Sequence, residues 1–294
     1  HARFARAIRI NNQIACYVRN EKAADQVLNR LLQELKGNLP GSAVLEQKWE
    51  SLNWPLEKNA RVLSVDEAVA LLKPKVTVKV SAAAIQLGNQ PLVYLPTREL
   101  AQMALYALRN KYSQGPGKLI SVEILQKNVT VAEVKTRPSN VITDVHEAVR
   151  RLTAERDMAR KYVVRRGDSW RKIADEHKMT VAELKRLNPK IGPIIHVGDK
   201  LTVSSPAPPL TVVTVREETR EEEYTAKPER VPVETMPEGE TRVTIQAVPG
   251  KVLYTDRVTY HNGRRVSATN IRKTIIQEAQ PERILVGTAP KPPA

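Results

Sequence analysis

The chain has 294 residues, enough for two or three domains, and its 41% hydrophobic content supports folded cores rather than general disorder. With 4% aromatic residues, a single Phe and 20 Pro, it reads as small aliphatic cores joined by linkers and not as one large barrel. The net charge of +15 raises nucleic-acid binding, but the excess is spread (24 basic against 15 acidic over residues 1–160, 10 against 5 over 161–205, 13 against 12 over 206–294), without a run of five basic residues or an aromatic-basic ladder. Such a field suits an anionic wall or membrane surface at least as well.

In chain order, residues 5–72 and 82–152 read as one unit used twice. Ile8, Tyr17, Ala24, Leu28 and Leu31 meet Ile85, Tyr94, Ala101, Leu105 and Leu108 at one offset of 77, and Val65, Glu67 and Ala68 meet Val145, Glu147 and Ala148 at 80. Asn11-Asn12 and Gly88-Asn89 tolerate positive φ and place a hairpin tip in each unit. A helix follows, with Ala24, Val27, Leu28, Leu31, Leu32 and Leu35 on one face, and Leu100, Met103, Ala104, Ala107 and Leu108 in the second unit. Extended segments come next, then a short helix opened by Ser64 or Asp144 with Glu three residues on. Each unit is expected to be α+β, its helices covering a small antiparallel sheet. Cys16, the sole cysteine, aligns with Val93 and reads as a small core residue rather than a reactive thiol.

Residues 161–203 carry the densest signals. Tyr162-Val163-Val164 favours a strand, Gly167-Asp168 breaks it, and Asp168 is the expected N-cap of a helix with Trp170, Ile173 and Ala174 on its apolar side. Thr180 and Glu183 form a capping box, Leu184 and Leu187 continue the stripe, Pro189 stops it, and Gly198-Asp199 turns into a closing strand at Leu201. A tiny fold needs such caps and turns even if it binds nothing.

With Gly167-Asp168-Ser169, Ile173-Ala174, Thr180-x-x-Glu183-Leu184, Asn188-Pro189 and Gly198-Asp199-x-Leu201 in this order, the segment resembles a LysM domain. The resemblance implies a βααβ module that grips N-acetylglucosamine glycans, such as peptidoglycan or chitin, in a shallow groove between two loops. The first loop would be Gly167, Asp168, Ser169 and Trp170. The second would be Asn188, Pro189, Lys190, Ile191, Gly192, Ile194 and Ile195, within the run from 188 to 195. Ser169-Trp170 stands where the family usually has Thr-Leu, which keeps the hydroxyl.

A linker is expected at Ser204–Pro209, and the remainder is β-rich: 210–215, 242–245, 251–254, 257–260, 274–276 and 284–286, with a hairpin turn at Asn262-Gly263. The acidic run Glu217-Glu218 and Glu221-Glu222-Glu223 alternates faces on a strand, so it reads as a solvated surface balanced by Arg216, Arg220 and Arg230 rather than as a metal site. The glycines Gly239, Gly250, Gly263 and Gly287 in their spacing resemble a G5 domain over about 209–288, with Ala247 at the fifth glycine position. The resemblance implies a bacterial surface or peptidoglycan-processing context. Ala at positive φ would carry a penalty that Gly avoids.

The five His residues are widely separated, and neither His-Glu-x-x-His nor Gly-x-Ser-x-Gly occurs, so no catalytic residue, metal ligand or cofactor is assigned. No run of 18 apolar residues is present, so a membrane span is not expected in this chain. The expected architecture is α+β multidomain: a duplicated α+β repeat (1–78 and 79–158), a βααβ LysM module (159–205), an elongated all-β G5 domain (206–288) and a Pro-rich tail (289–294). The expected function is non-catalytic binding and spacing on peptidoglycan, outside the cytoplasm of a bacterium, with anchoring by an upstream membrane segment or secretion. Envelope proteins are the candidate partners of the N-terminal repeats. The alternative is the targeting portion of a peptidoglycan hydrolase of the M23 metallo-endopeptidase type, whose catalytic domain would follow Ala294.

Overall fold

A computed structural model describes residues 3–290, so the expected tail lies, from residue 291, outside the described residues. The fold is mixed α and β with several separate sheets, and the chain divides into two compact units: residues 1–108 with 126–210, and residues 109–125 with 211–294.

In the first unit, β1 (Phe4–Ile10) and β2 (Gln13–Val18) form a hairpin whose tip residues Asn11 and Asn12 both have positive φ, as a two-residue primed turn demands. Helix α1 (Glu21–Lys36) starts where the Asn20 side chain accepts from the Ala23 amide, and it buries Ala24, Val27 and Leu31. Strands β3 (Ala43–Leu45), β4 (Trp49–Pro55) and β5 (Val62–Leu63) follow, then α2 (Val65–Leu72), opened by the expected reciprocal capping box of Ser64 and Glu67. The sheet order is β4-β1-β2-β5, with β5 parallel to β2, so the sheet is not purely antiparallel as expected. Ile8, Cys16, Val18, Leu31, Val69 and Leu72 share its core. Burial raises the Cys16 thiol to about 11, against the opposing pull of Lys75, which keeps it protonated and inert at neutral pH.

The second α+β segment opens with β6 (Val78–Leu87) and β7 (Gln90–Leu95), continues with α3 (Arg98–Lys111), β8 (Lys118–Ile124) and β9 (Val129–Thr136), and closes with α4 (Val145–Thr153), capped by Asp144. Strand β6 pairs with β7, β9 and also β3, which leaves its own segment to join this sheet. Strand β8 behaves differently from the expected self-contained segment 79–158. It hydrogen-bonds to β12 (Val212–Tyr224), so residues 109–125 belong to the second unit.

The last part of the first unit pairs β10 (Arg156–Val163) with β11 (Lys200–Ala207), and between them lie α5 (Trp170–Glu176) and α6 (Val181–Leu187). The expected linker at 204–209 is therefore strand as far as Ala207. Its residues have ladder partners in β10, down to Arg156 opposite Ala207, and a paired backbone outweighs the linker signal of the prolines.

In the second unit, the sheet runs β16-β15-β12-β8, with β15 (Gly250–His261) and β16 (Arg264–Gln277) joined by a hairpin at Asn262-Gly263, both at positive φ. Strands β12 and β15 stay in register from Val213 opposite His261 to Tyr224 opposite Gly250, a ladder about 37 Å long. Its buried residues include Thr214, Arg216 and Asp256 beside Val212, Val252 and Val258, so the core is thin and partly polar. Arg216, expected to balance surface carboxylates, is instead 3% exposed and donates to the carbonyls of Ser113, Gly115 (3.1 Å) and Pro116 (3.1 Å), fastening the loop before β8. The acidic run does alternate: Glu217 pairs with Arg257 (3.1 Å), Glu221 with Lys251 (2.9 Å) and Glu222 with Arg220. Three strands, β13 (Glu229–Pro237), β14 (Thr241–Ile245) and β17 (Arg283–Ala289), make a separate sheet in the order β13-β17-β14. Gly287 is required there, because a Cβ would sit 2.0 Å from the Pro237 carbonyl oxygen. The penalty expected at Ala247 does not arise: among the described residues, positive φ outside glycine occurs at Asn11, Asn12, Lys178 and Asn262.

Candidate functional site

The site is built on the β10–β11 pair. Two short helices lie over one face of a two-stranded ladder, and Val164, Ile173, Ala174, Leu184, Leu201 and Val203 fill the space between. Tyr162, Trp170, Met179, Ile191 and Ile195 close the margins of this core. So few buried residues leave little stability to spare, and the polar contacts of the loops carry much of the geometry.

The first loop is set by Asp168. Its carboxylate accepts from the Tyr162 hydroxyl (2.6 Å), the Arg165 amide (2.8 Å) and the Lys172 ammonium (3.2 Å), with the side chain 3% exposed. These donors, the Tyr162 hydroxyl first, hold its carboxyl down at about 2, and the same bond raises the Tyr162 phenol. Asp168 is thus the brace of the turn and not the helix cap expected for it. The cap is Ser169, whose hydroxyl accepts from the Lys172 amide at 3.2 Å. One residue separates the two roles because Gly167, at φ +85, lets the chain fold back so that Asp168 faces Tyr162. The second helix starts on the capping box of Thr180 and Glu183, whose carboxyl is lowered chiefly by the Thr180 amide.

The second loop hangs from Asn188. Its side-chain amide donates to Leu184 O (2.8 Å) and Thr202 O (2.7 Å) and accepts from the Thr202 amide (2.6 Å), tying the end of α6 to β11. At 7% exposure, Asn188 is spent within the fold, whereas the sequence placed it among ligand-facing residues. Ile191 and Ile195 turn partly into the core, while Pro189, Lys190, Gly192 and Ile194 face solvent. Ile194 is 70% exposed and its neighbour Val197 69%.

Trp170 links the loops. Its indole N–H donates to the Pro193 carbonyl at 2.9 Å, and the Lys185 ammonium lies 5.6 Å from its ring centre. The structure therefore joins the two loops through Trp170 and Pro193, with Ser169 capping α5 and Asp168 and Asn188 as braces within their own loops. Two participants are not legible in the sequence. Tyr162 reads as strand, and its partner six residues on gives a period that no strand or helix rule flags. Lys185 contributes through spatial proximity alone, whereas Pro193 lies within the expected second loop. Val197 could have been noticed as an apolar residue stranded in a polar loop. Chemically, the surface offers a Trp edge, exposed aliphatic side chains and loop backbone, suited to an uncharged, amide-bearing ring.

Comparison with known proteins gives two matches: a LysM domain over residues 162–204 and a G5 domain over residues 215–289. LysM domains bind N-acetylglucosamine glycans such as peptidoglycan, and together the two are consistent with a peptidoglycan-binding role typical of extracellular cell-wall proteins. Among solved structures, the chain is similar to one titled IgA1 Protease G5 domain structure, with 24% identity over 27% of this chain and 93% of that one, at a TM-score of 0.19. No curated protein matches. No helix among the described residues is long and apolar enough to cross a membrane.

Proposed function

We propose that this protein binds peptidoglycan through the groove between residues 167–170 and 189–194 and acts as a non-catalytic binding and spacing element of a bacterial envelope, outside the cytoplasm. The observation that carries the reading is the Trp170–Pro193 bond, which ties the two loops together while leaving Ile194 open to solvent beside them. A groove fixed before the ligand arrives saves the ordering cost of its loops. One such groove still buries little area, so firm retention needs a second attachment.

The α+β segments at 1–78 and 79–158 are proposed to be a duplicated spacer, followed by the LysM module at 159–205 and the G5 domain at 206–288. Matched registers support the duplication: Ile8 faces Cys16 as Ile85 faces Val93, and Tyr17 pairs in parallel with Val62 as Tyr94 does with Val141. The same modules would serve as the targeting portion of an M23-type peptidoglycan endopeptidase; a His-x-His domain encoded past Ala294 is the test of that extension.

Retention on purified peptidoglycan and chitin tests the groove. Ile194→Asp removes an exposed apolar contact without touching the core, and a tenfold loss of retention is expected, from about 1.5 kcal/mol of lost apolar burial. Retention equal to the unaltered chain would overturn the assignment.

A further inference from the structure

Residues 206–294 are nearly balanced in charge, with 13 basic against 12 acidic, yet the sheet of the second unit separates the signs. Strand β16 carries Arg264, Arg265, Arg272 and Lys273 and no acidic residue, while β12 carries five glutamates against two arginines. It is the terminal strand of its sheet and all 14 of its residues are exposed. Arg265 and Lys273 stand opposite Tyr260 and Tyr254, and Arg264 and Arg272 opposite His261 and Thr255, so cations flank both faces of the free edge. Among the described residues none of the four is in an ion pair. Lys273 lies 5.7 Å from the Tyr254 ring centre, and the Asp256 carboxyl, held low first by its hydrogen bonds from Asn270 and Arg220, also feels the Arg265 charge.

The edge is also irregular. The register against β15 shifts at three places and leaves Val266, Ile271 and Ile276 without partners, 49%, 40% and 50% exposed. Bulges of this frequency break the spacing that another strand needs, and like charges oppose pairing with a second copy. Aromatic residues are absent from β16, which argues against stacked bases and against a membrane interface. A flexible chain of phosphates needs neither, only cations at intervals and some apolar surface for its carbon skeleton.

We infer that β16 is the docking edge for a linear polyol-phosphate polymer, which lies along the strand and meets one cation pair at its start and the other about 20–25 Å further on, beyond the middle of the strand. The choice of a wall-type polymer rests on the reading of the chain as a wall protein; the polyanion site itself rests on β16. It would be a second attachment, independent of the glycan groove.

The test uses the full chain and synthetic poly(glycerol phosphate), with affinity measured across a salt series. Four phosphate contacts at about 0.7 each give a log–log salt slope near −3. A variant with Arg264, Arg265, Arg272 and Lys273 changed to Ser is expected to lose affinity at least tenfold at low salt and most of that slope. A control with Arg19, Lys22, Lys58 and Lys75 changed to Ser, equal in net charge, is expected to keep both. Arg272→Ser with Lys273→Ser gives a milder second variant, expected to lose about half of the slope, and thermal melting of each establishes that it is folded. Equal losses in control and variant would overturn the site, as would tighter binding to duplex DNA or phosphatidylglycerol vesicles than to the polymer. Ile194→Asp is expected to retain polymer binding, which separates failure of this site from failure of the glycan groove.

Discussion

Replacing Asn188 tests how the proposed glycan groove is held. In Asn188→Ala, the carbonyls of Leu184 and Thr202 and the Thr202 amide lose their partner in a site closed to water. Leu184 O ends a helix and can be partly rescued, so the cost is on the order of 3 kcal/mol rather than the sum of three full penalties. Local opening of residues 162–204 should therefore rise about a hundredfold, read by hydrogen exchange of peptides from that stretch, with those from 3–60 unchanged. Asn188→Asp sharpens the test. At neutral pH it aims a carboxylate at two carbonyl oxygens, which costs more than Ala and raises the folded-state pKa above the unfolded value of about 3.9. Its extra cost is thus present above the raised value and fades as pH falls through it, because a protonated carboxyl regains one donor. A loss of protection below threefold in the Ala variant, or an Asp variant indifferent to pH, would refute the bracing role.

Asp168 should give the opposite pH signature. Its folded carboxyl sits at about 2 against an ordinary value near 3.8, so its contribution is full above about 4 and is lost as pH falls toward 2; Asp168→Asn should abolish this change in exchange protection. Trp170→Phe keeps the ring but frees the Pro193 carbonyl, and glycan retention should fall about fivefold, or roughly 1 kcal/mol, in the pull-down. Gly287→Ala forces a Cβ onto the Pro237 carbonyl and should destabilise the β13–β17 pairing by about 2–3 kcal/mol, measured by denaturant unfolding. Cys16 should react with thiol reagents only on unfolding, and Cys16→Val should leave stability within about 1 kcal/mol.

Local chemistry made much of the fold readable. Asn11-Asn12, Ser64 with Glu67, Thr180 with Glu183 and Asn262-Gly263 each act within a few residues, and each holds the place that its turn or cap chemistry requires. What escaped is set by pairing across distance. Nothing in Lys118–Ile124 says that its ladder partner lies near residue 215, and nothing in Arg216 says that it will be buried against carbonyls a hundred residues earlier. The candidate site follows the same division. Its loops were placed by Gly167 and Asn188-Pro189, but a residue that braces a loop and one that faces a ligand have the same sequence signature. Asp168 and Asn188 were separable from Ser169 and Ile194 only once burial and hydrogen bonds were known.

The division of the chain also bears on how it survives damage. The backbone passes between the two units after residues 108, 125 and 210, so they are joined by three covalent passages where consecutive domains have one. A single peptide-bond cleavage at any one passage leaves the other two intact. A cut after residue 210 does part the backbone of the loops at 167–194 from that of β16, yet it leaves residues 118–124 on the first fragment hydrogen-bonded to β12 on the second, so the pieces stay joined by a strand ladder where ordinary beads on a string would separate.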